Sequence, residues 1–185
     1  MRFIDQELSM KLLYTLNATI WRIIAAIVST ERVGDWLIQR AMRTPYTHIM
    51  SVDGKDIYMG RWWLFNPYPA SGEGKRFGWG WLPSVRIHHI MREDDDRHLH
   101  DHPWNARTIV LDGWYAEEKP SGNWHRFQGY TGRLLFGEYH RITCVPEVGV
   151  WTLFITWKQR GVWGFDVDGV KVPWREYLAI EKNNG

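Results

Sequence analysis

Apolar residues in the first part of the chain recur at intervals of three and four residues. This spacing places side chains on one face of an α-helix, and the residues that share it are Leu12, Leu16, Ile20, Ile23, Ile24 and Ile27. A second set with the same spacing follows Ser29 and Thr30, either of which can cap a helix, and Pro45 lies just past its end. The pattern predicts two helices, over residues 6–28 and 31–42.

From Pro45 onwards the pattern changes to short runs rich in β-branched and aromatic residues, separated by Gly, Pro, Asn and Asp. Ten strands are predicted, over 47–52, 56–65, 84–91, 106–112, 114–118, 123–127, 133–136, 139–144, 150–157 and 162–167. Many short strands without intervening helices predict an antiparallel sandwich or barrel. The stretch 66–80 is rich in Gly and Pro and predicts a long surface loop. The chain therefore divides into a helical extension, 1–44, and a barrel domain, 45–185.

The apolar stripe of the first helix has more than one interpretation. It can pack on the body of the protein, pack on a second copy in a homodimer, or lie in a membrane interface. Lys and Arg are scarce on its polar side, which argues against an interfacial helix. Arg22, Asn17 and two threonines interrupt the apolar run, so we expect no membrane span. We expect packing or a homodimer through these helices, and no membrane partner.

Composition and charge narrow the class of protein further. Aromatic residues make up 15% of the 185 residues and include 13 tryptophans, which excludes a disordered chain. Cys144 is the single cysteine, so an intramolecular disulfide framework is excluded and the reducing cytoplasm is the expected location. The net charge of +2 is too small to indicate a nucleic-acid surface, and no RNA- or DNA-binding motif is present. We expect no nucleic-acid partner.

Three histidines two residues apart are the strongest chemical signal. In an extended chain His98, His100 and His102 share a face, and neutral imidazoles on one face can converge on a metal ion. A further ligand must come from elsewhere in the fold. The alternative is a polar surface strand without a metal. The preceding charged run, 92–97, is expected to be a solvated loop, with a cation site or ion-pair anchor as the alternative.

The histidine pair resembles the first motif of the cupin superfamily, G-x5-H-x-H-x3,4-E-x6-G. With His100 and His102 as the pair, the closing glycine falls on Gly113. The glutamate position falls on Ala106, so the motif's carboxylate ligand is missing from its place.

A later stretch resembles the second cupin motif, G-x5-P-x-G-x2-H-x3-N. It matches at Gly129, Gly137 and His140. Leu135 and Cys144 stand in the proline and asparagine positions. A closer resemblance covers roughly residues 58–178. The segments LHDHPW, WTLFITW, VWGF and WREY look like a family of small, uncharacterised cupin-like proteins frequent in phages and prophages. For a phage-encoded protein the expected location is the host cytoplasm.

The resemblance implies a double-stranded β-helix (jelly-roll) barrel with a pocket at its mouth. His100, His102 and His140 would point into it and bind Fe, Mn, Ni or Zn. Glu117 is the best candidate for a fourth ligand, with Asp101 and Glu138 less favoured. Three ligands with open positions suit catalysis or substrate chelation better than a closed structural site. The missing glutamate also leaves a metal-free site open.

Further residues are candidates for the pocket lining: His88, His98, Trp104, Tyr115 and Arg107. As alternatives, His88 is an ordinary half-buried strand histidine, and His98 supports the site from outside or is exposed. Most tryptophans are expected to pack, and a few near the pocket to stack on a ligand. Several arginines fall on predicted strands, and any that points inward can clamp a carboxylate or phosphate: Arg86, Arg107, Arg126, Arg133 and Arg141.

Three functions remain open from the sequence. The first is a metal-dependent enzyme, oxygenase- or isomerase-like, acting on a small polar substrate. The second is a non-catalytic module that binds a sugar, nucleotide or carboxylate. The third is a metal-free, epimerase-like site with a histidine base, which requires an acidic partner within hydrogen-bond reach.

Overall fold

The computed structural model of the chain describes residues 2–51, 54–68 and 81–184. The helices in this part are α1 (Arg2–Val28), α2 (Glu31–Ala41) and α3 (Trp174–Asn184). Its strands are β1 (Ile49–Met50), β2 (Ile57–Phe65), β3 (Ser84–Ile90), β4 (Trp104–Asp112), β5 (Trp114–Lys119), β6 (Gly122–Phe127), β7 (Thr131–Leu134), β8 (Arg141–Cys144), β9 (Val150–Gln159), β10 (Gly164–Val167) and β11 (Val170–Pro173). Most of the loop predicted over 66–80 lies outside the described residues, as does part of the predicted strand 47–52.

The strands form two sheets and a hairpin. Six strands pair in the order β1-β2-β3-β9-β4-β7, three in the order β6-β5-β8, and β10 pairs with β11. The pairings among these described strands are all antiparallel. The prediction of a mainly-β chain with antiparallel sheets and N-terminal helices is thereby confirmed.

One face of the six-stranded sheet packs under the N-terminal helices. Because side chains alternate along a strand, every second residue of β3, β4 and β9 faces α1 and α2. This buried cluster consists of Ala25, Ile38, Ala41, Ile87, Ile109, Leu111, Leu153 and Ile155. The C-terminal part of α1 and the helix α2 therefore share one hydrophobic core with the six-stranded sheet.

The other face of the six-stranded sheet packs against the three-stranded sheet. A second buried cluster draws residues from both sheets: Ile90, Val110, Tyr115, Ile142 and Val150. The turn from β4 to β5 requires glycine at Gly113, whose φ is 82°. A Cβ there would lie 3.2 Å from the carbonyl oxygen of Gly149. The Asp112-Gly113 turn that separates the predicted strands is therefore present.

The outer side of α1 remains uncovered. Its aliphatic side chains are between 45% and 69% exposed at Leu12, Leu13, Leu16, Ile20, Ile23 and Ile27. By length and composition, the 20 residues Ser9–Val28 are also long and apolar enough to cross a membrane. From the sequence no membrane span is expected, because Arg22, Asn17 and two threonines interrupt the apolar run. The segment nevertheless passes by composition, since it contains only two charged residues, Lys11 and Arg22. The last turns of the segment pack on the sheet through Trp21, Ile24 and Val28.

The C-terminal strand and helix are absent from the predicted elements. β11 and α3 follow the last predicted strand, 162–167, and Pro173 immediately precedes the helix. Tyr177 of α3 is buried, and its ring stacks on Phe165 with centroids 3.8 Å apart. The spacing of Trp174, Tyr177 and Leu178 is helical, but a short amphipathic run at a chain end gives little periodicity from which to predict a helix.

Candidate functional site

Backbone pairing brings the two histidine segments together. The N–H of His100 donates to the carbonyl oxygen of His140 at 2.9 Å, and the N–H of His140 donates to the carbonyl oxygen of His100 at 2.9 Å. Pro103 has no N–H to offer a sheet ladder, and the segment joins the fold through single bridges to His140 and Phe165 rather than a continuous strand. Two segments separated by about 40 residues thus present their imidazoles side by side.

The imidazoles of His100, His102 and His140 form one cluster. A ligand atom from each lies within 4.8 Å of the others, and Nε2 of His102 is 2.9 Å from Nε2 of His140. The side chain of His140 is 8% exposed and that of His100 is 16% exposed. The structure therefore brings together the three histidines singled out by the resemblance.

Burial keeps two of these imidazoles neutral. It lowers the pKa of His100 to about 4, with Asp94 opposing the shift and His140 adding to it. It also holds the pKa of His102 well below the ordinary value, and the neighbouring His140 and His100 act in the same direction. A neutral imidazole has a free nitrogen lone pair, so His100 and His102 could each offer one to a metal ion near neutral pH.

Glu117 stands behind the cluster rather than in it. Its Oε1 lies 3.1 Å from Nδ1 of His140, the nitrogen that does not face His102. Burial by itself raises the pKa of the Glu117 carboxyl. The contact with His140, together with the nearby Lys119 and Arg126, outweighs burial and brings the pKa to about 2. Arg126 donates from Nε to Oε2 at 2.8 Å. A carboxylate in this position fixes the tautomer and the orientation of a metal-binding histidine.

Asp101 and Glu138, the other carboxylates considered as ligands, have structural contacts instead. Asp101 is fully buried and accepts hydrogen bonds from the N–H of Gly164 at 2.8 Å and of Gly137 at 3.2 Å. It also accepts one from Lys171. Glu138 Oε2 accepts from the N–H of Leu135 at 3.1 Å. Asp101 therefore connects separate segments of the chain, whereas Glu138 stabilises its own turn, in which its N–H also donates to the carbonyl oxygen of Leu135 at 2.9 Å.

Asp94 is a site residue that the sequence alone did not identify. It belongs to the charged run 92–97, where an ion-pair anchor was only the alternative to a solvated loop. Its Oδ2 accepts from the N–H of Ile142 at 2.7 Å and lies 3.9 Å from Nδ1 of His100. The Tyr58 hydroxyl donates to the other oxygen of this carboxylate, Oδ1. The carboxylate therefore borders the histidine cluster on the His100 side.

Two adjoining cavities meet at the histidines. The inner cavity has a volume of about 70 Å³ and the outer one about 440 Å³. His100 and His102 line both, together with Tyr58, Met59, Asp94 and Phe154. The outer cavity is large enough for a small molecule, whereas the inner one has room for only a few atoms.

The predicted pocket residues divide between the cavities and the rest of the fold. His88 and Tyr115 line the inner cavity, and Trp104 lines the outer one. His98 lies elsewhere, with Nδ1 2.9 Å from the hydroxyl of Tyr177 on α3. Burial raises the pKa of Tyr115 well above its ordinary value, and the charge of Glu117 adds to this. Tyr115 therefore remains a protonated phenol.

Arg107 points away from the pocket, contrary to the expectation. Its guanidinium lies 4.5 Å from the ring centroid of Trp21 on α1, and it donates to the hydroxyl of Thr131 at 3.0 Å. Arg107 shares the face of β4 that carries Ile109 and Leu111 under the helices. Strand alternation then places it opposite the cavity.

No protein-family model matches the chain, and no curated protein matches it either. Among solved structures, it is similar to a cupin-2 domain protein from Rhodospirillum rubrum, at 10% identity and a TM-score of 0.48, over 74% of this chain and 80% of that one. It is similar to a sugar phosphate isomerase of the cupin superfamily from Silicibacter pomeroyi, at 12% identity and a TM-score of 0.44, over 68% and 76% of the two chains.

A third similar structure comes from a study of DMSP lyases, at 15% identity and a TM-score of 0.41. The match covers 54% of this chain and 47% of that one, so the chain spans about half the length of that protein. These similarities concern the fold alone, and at this level of identity they say nothing about the reaction.

Proposed function

We propose that the chain is a metal-dependent enzyme that acts on a small polar substrate in the outer cavity. His100, His102 and His140 would hold a divalent transition metal: Fe, Mn, Ni or Zn. The observation that carries this proposal is the convergence of three imidazole nitrogens within 4.8 Å of one another at the meeting point of two cavities.

The donor set fits such an ion. Imidazole suits Zn, Fe, Ni and Cu, and burial favours the neutral form of His100 and His102 that binds a metal. Nδ1 of His100 and Nδ1 of His140 are both buried without a well-aligned hydrogen bond among the described residues, the latter although Oε1 of Glu117 lies 3.1 Å away. A cluster of three buried imidazoles with an unpartnered nitrogen is costly unless something binds to it.

The chain's own residues would perform three tasks around the ion. Glu117 holds the ring of His140, and Asp94 borders His100. Tyr115 lines only the inner cavity, so its protonated phenol would donate a hydrogen bond to a substrate oxygen that extends there from the outer cavity. A bound metal would supply Lewis acidity toward a substrate oxygen. Lewis acidity would serve an isomerase-like reaction, whereas an oxygenase-like reaction would also require a redox-active ion such as Fe.

Metal analysis tests the proposal directly. The wild type and the variants His102→Ala and His125→Ala are purified without a nickel column, and their metal content is measured by mass spectrometry. His125 is an exposed histidine on β6 and serves as the matched control. We expect about one ion per chain in the wild type and in His125→Ala, and none in His102→Ala. A wild type without metal after exposure to each candidate ion contradicts the proposal.

A metal-free, epimerase-like site is the second candidate, and one specific contact favours it. A histidine base needs an acidic partner, and Glu117 lies 3.1 Å from Nδ1 of His140. Chelation separates the two candidates, because an activity that survives removal of the ion requires the histidine base alone.

A non-catalytic binding module is the remaining candidate. The same cavity would then hold a sugar, a nucleotide or a carboxylate without converting it. Incubating the metal-loaded protein with a ligand that it binds, and analysing the ligand afterwards, distinguishes a module from an enzyme.

A further inference from the structure

We infer that the outer cavity contains an anion-binding site centred on Arg86, which takes a carboxylate or phosphate group of a small ligand. The inference deepens the proposed function, on which its identification of a substrate class rests. The anion site itself is formed by the surroundings of one buried arginine.

Arg86 is buried in the middle of the six-stranded sheet. It lies on β3, opposite Trp63 of β2 and Phe154 of β9. Only 2% of the residue is exposed, yet it lines the outer cavity together with His100 and His102. An arginine in this position has its charge inside the protein and beside the proposed substrate.

Aromatic rings surround the guanidinium. Its Cζ lies between 5.4 and 5.8 Å from the ring centroids of Tyr46, Trp63, Tyr68, Trp104 and Phe154. Ring faces attract a cation, but a single such contact is weak. They also offer few acceptors for the five N–H groups of a guanidinium. These rings surround the guanidinium, and its Nε has no hydrogen-bond partner among the described residues.

No carboxylate balances this charge among the described residues. Ion pairs with Asp or Glu are present at Arg92, Arg126 and Arg141 but not at Arg86. Burial lowers the pKa of Arg86, and the groups that oppose this are two phenols, those of Tyr68 and Tyr46. An arginine nevertheless stays protonated in proteins. A buried charge without a counter-ion is costly, and native proteins seldom keep one without a reason.

Unpartnered polar atoms near Arg86 point to the same kind of ligand. Nε of Arg86 and Nε1 of Trp104 belong to residues that line the outer cavity, and both atoms are buried without a hydrogen-bond partner among the described residues. Both are obligatory donors. Neighbouring donors without acceptors favour a ligand with several acceptor atoms, and an oxyanion is such a ligand.

Arg61 adds a second positive charge to the same cavity. It lines the cavity with Arg86, and its guanidinium lies 4.5 Å from the ring centroid of Tyr46. Burial, with the charge of Arg86 adding to it, lowers the pKa of Arg61 to about 10. The two guanidinium groups therefore repel each other. A bound anion would relieve this repulsion.

The anion site is connected to the histidine cluster by two rings. The ring of His102 lies 6.4 Å from that of Trp104 and 5.8 Å from that of Phe154, and Arg86 contacts both rings. A ligand of a few carbon atoms can thus place its carboxylate or phosphate on Arg86 and an oxygen at the histidines. The proposed substrate class is a small organic acid or phosphate ester with a second oxygen function.

Anion binding is tested on the chelator-treated full chain, with inorganic phosphate and succinate as separate probes in a low-chloride buffer. The midpoint of thermal unfolding is recorded against probe concentration. We expect at least one probe to raise the wild-type midpoint by about 5 °C at saturation. Arg86→Met should show no rise, and Arg86→Lys should bind about tenfold more weakly because the guanidinium fork is lost.

A matched control and the probe-free midpoint separate binding from structure. Arg107→Gln removes another buried, ring-contacting arginine outside the cavity, and it should keep the wild-type response to the probes. Without probe, Arg86→Met should unfold at the wild-type midpoint or above it, because an unbalanced buried charge has been removed.

The inference is overturned if neither probe stabilises the wild type, or if Arg86→Met responds as the wild type does. Metal content is measured on separate samples. If the protein binds metal but neither anion, the proposed function stands and the anion site is ruled out. If it binds an anion but no metal, the anion site stands and the proposed metal-dependent function is ruled out.

Discussion

Glu117 Oε1 lies 3.1 Å from Nδ1 of His140, while Nε2 of the same ring lies 2.9 Å from Nε2 of His102. The two nitrogens of one imidazole thus serve different partners, a buried carboxylate on one side and the histidine cluster on the other. Such a carboxylate sets which nitrogen bears the proton and makes the other a better ligand. The glutamate position of the first motif is held by Ala106, so the carboxylate of this site acts from behind a histidine.

Glu117→Gln is expected to weaken metal binding about 10- to 100-fold, the usual effect of removing a carboxylate behind a histidine ligand. Competition with a chromophoric chelator measures the affinity. Glu118→Gln is the matched control, because Glu118 is the next residue on β5 and pairs with Arg141 instead, at 2.6 Å. Equal affinity in the two variants would show that Glu117 does not support the site.

Ala25→Asp is expected to destabilise the whole protein. Ala25 is fully buried between α1 and the six-stranded sheet, so a carboxylate there would be left without a partner. The cost is about 3–5 kcal/mol, measured by urea denaturation.

Ala26→Asp is the control for this substitution, because Ala26 is the exposed neighbour on the same helix. We expect it to change stability little. If both variants unfold at the same urea concentration, the helices do not share a core with the sheet. The boundary between residues 1–44 and 45–185 would then separate independent folding units.

Acid is expected to destabilise the metal-free protein in part through His88. Burial, aided by the charges of Arg86 and Arg61, holds the pKa of His88 well below its ordinary value. In the unfolded chain the imidazole of His88 therefore takes up a proton near pH 6.5, and in the folded chain it stays neutral at that pH. The stability due to neutral His88 is fully present above that pH and decreases as the pH falls below it.

For His88 alone this loss reaches about 1.4 kcal/mol per pH unit. Urea denaturation at about pH 7, 6 and 5 after chelation measures it. His88→Gln should show a shallower decline than the wild type, and His125→Gln, at an exposed position, should decline as the wild type does. An unchanged slope in His88→Gln would mean that the imidazole takes up its proton in the folded state.

The exposed stripe of α1 is expected to mediate self-association. Leu13, Leu16, Ile20, Ile23 and Ile27 follow one another at spacings of three and four residues, the repeat of a helix that packs lengthwise on a second helix. The molar mass is measured by light scattering after size-exclusion chromatography. We expect the mass of a dimer for the wild type and of a monomer for the double variant Leu16→Gln, Ile23→Gln.

The control for this prediction is Thr15→Gln, Arg22→Gln, which alters exposed positions outside the stripe. A wild-type monomer would contradict self-association. If that monomer also sedimented with lipid vesicles, the apolar segment Ser9–Val28 would be a membrane-binding element instead.

Much of the fold was determined by local pattern. The helical spacing of α1 and α2 and the turn at Gly113 are set by interactions between near neighbours, and the structure places the helices at Arg2–Val28 and Glu31–Ala41. The pair His100 and His102 was identified in the same way, since residues two apart on an extended chain share a face. His140 was identified only through its resemblance to a motif, because no local rule relates it to the other two.

Only the tertiary structure decided which partners these residues have. Arg86 and Arg107 both lie on central strands, and alternation assigns each to a face without showing which face encloses the cavity. Both faces of this sheet are buried, one under helices and the other against the cavity and the second sheet, so hydrophobic pattern does not distinguish them. Packing turned Arg107 toward Trp21 and Arg86 toward the outer cavity. The sequence determined which side chains can bind a metal or an anion, and the packing of the two sheets and the helices determined which of them meet.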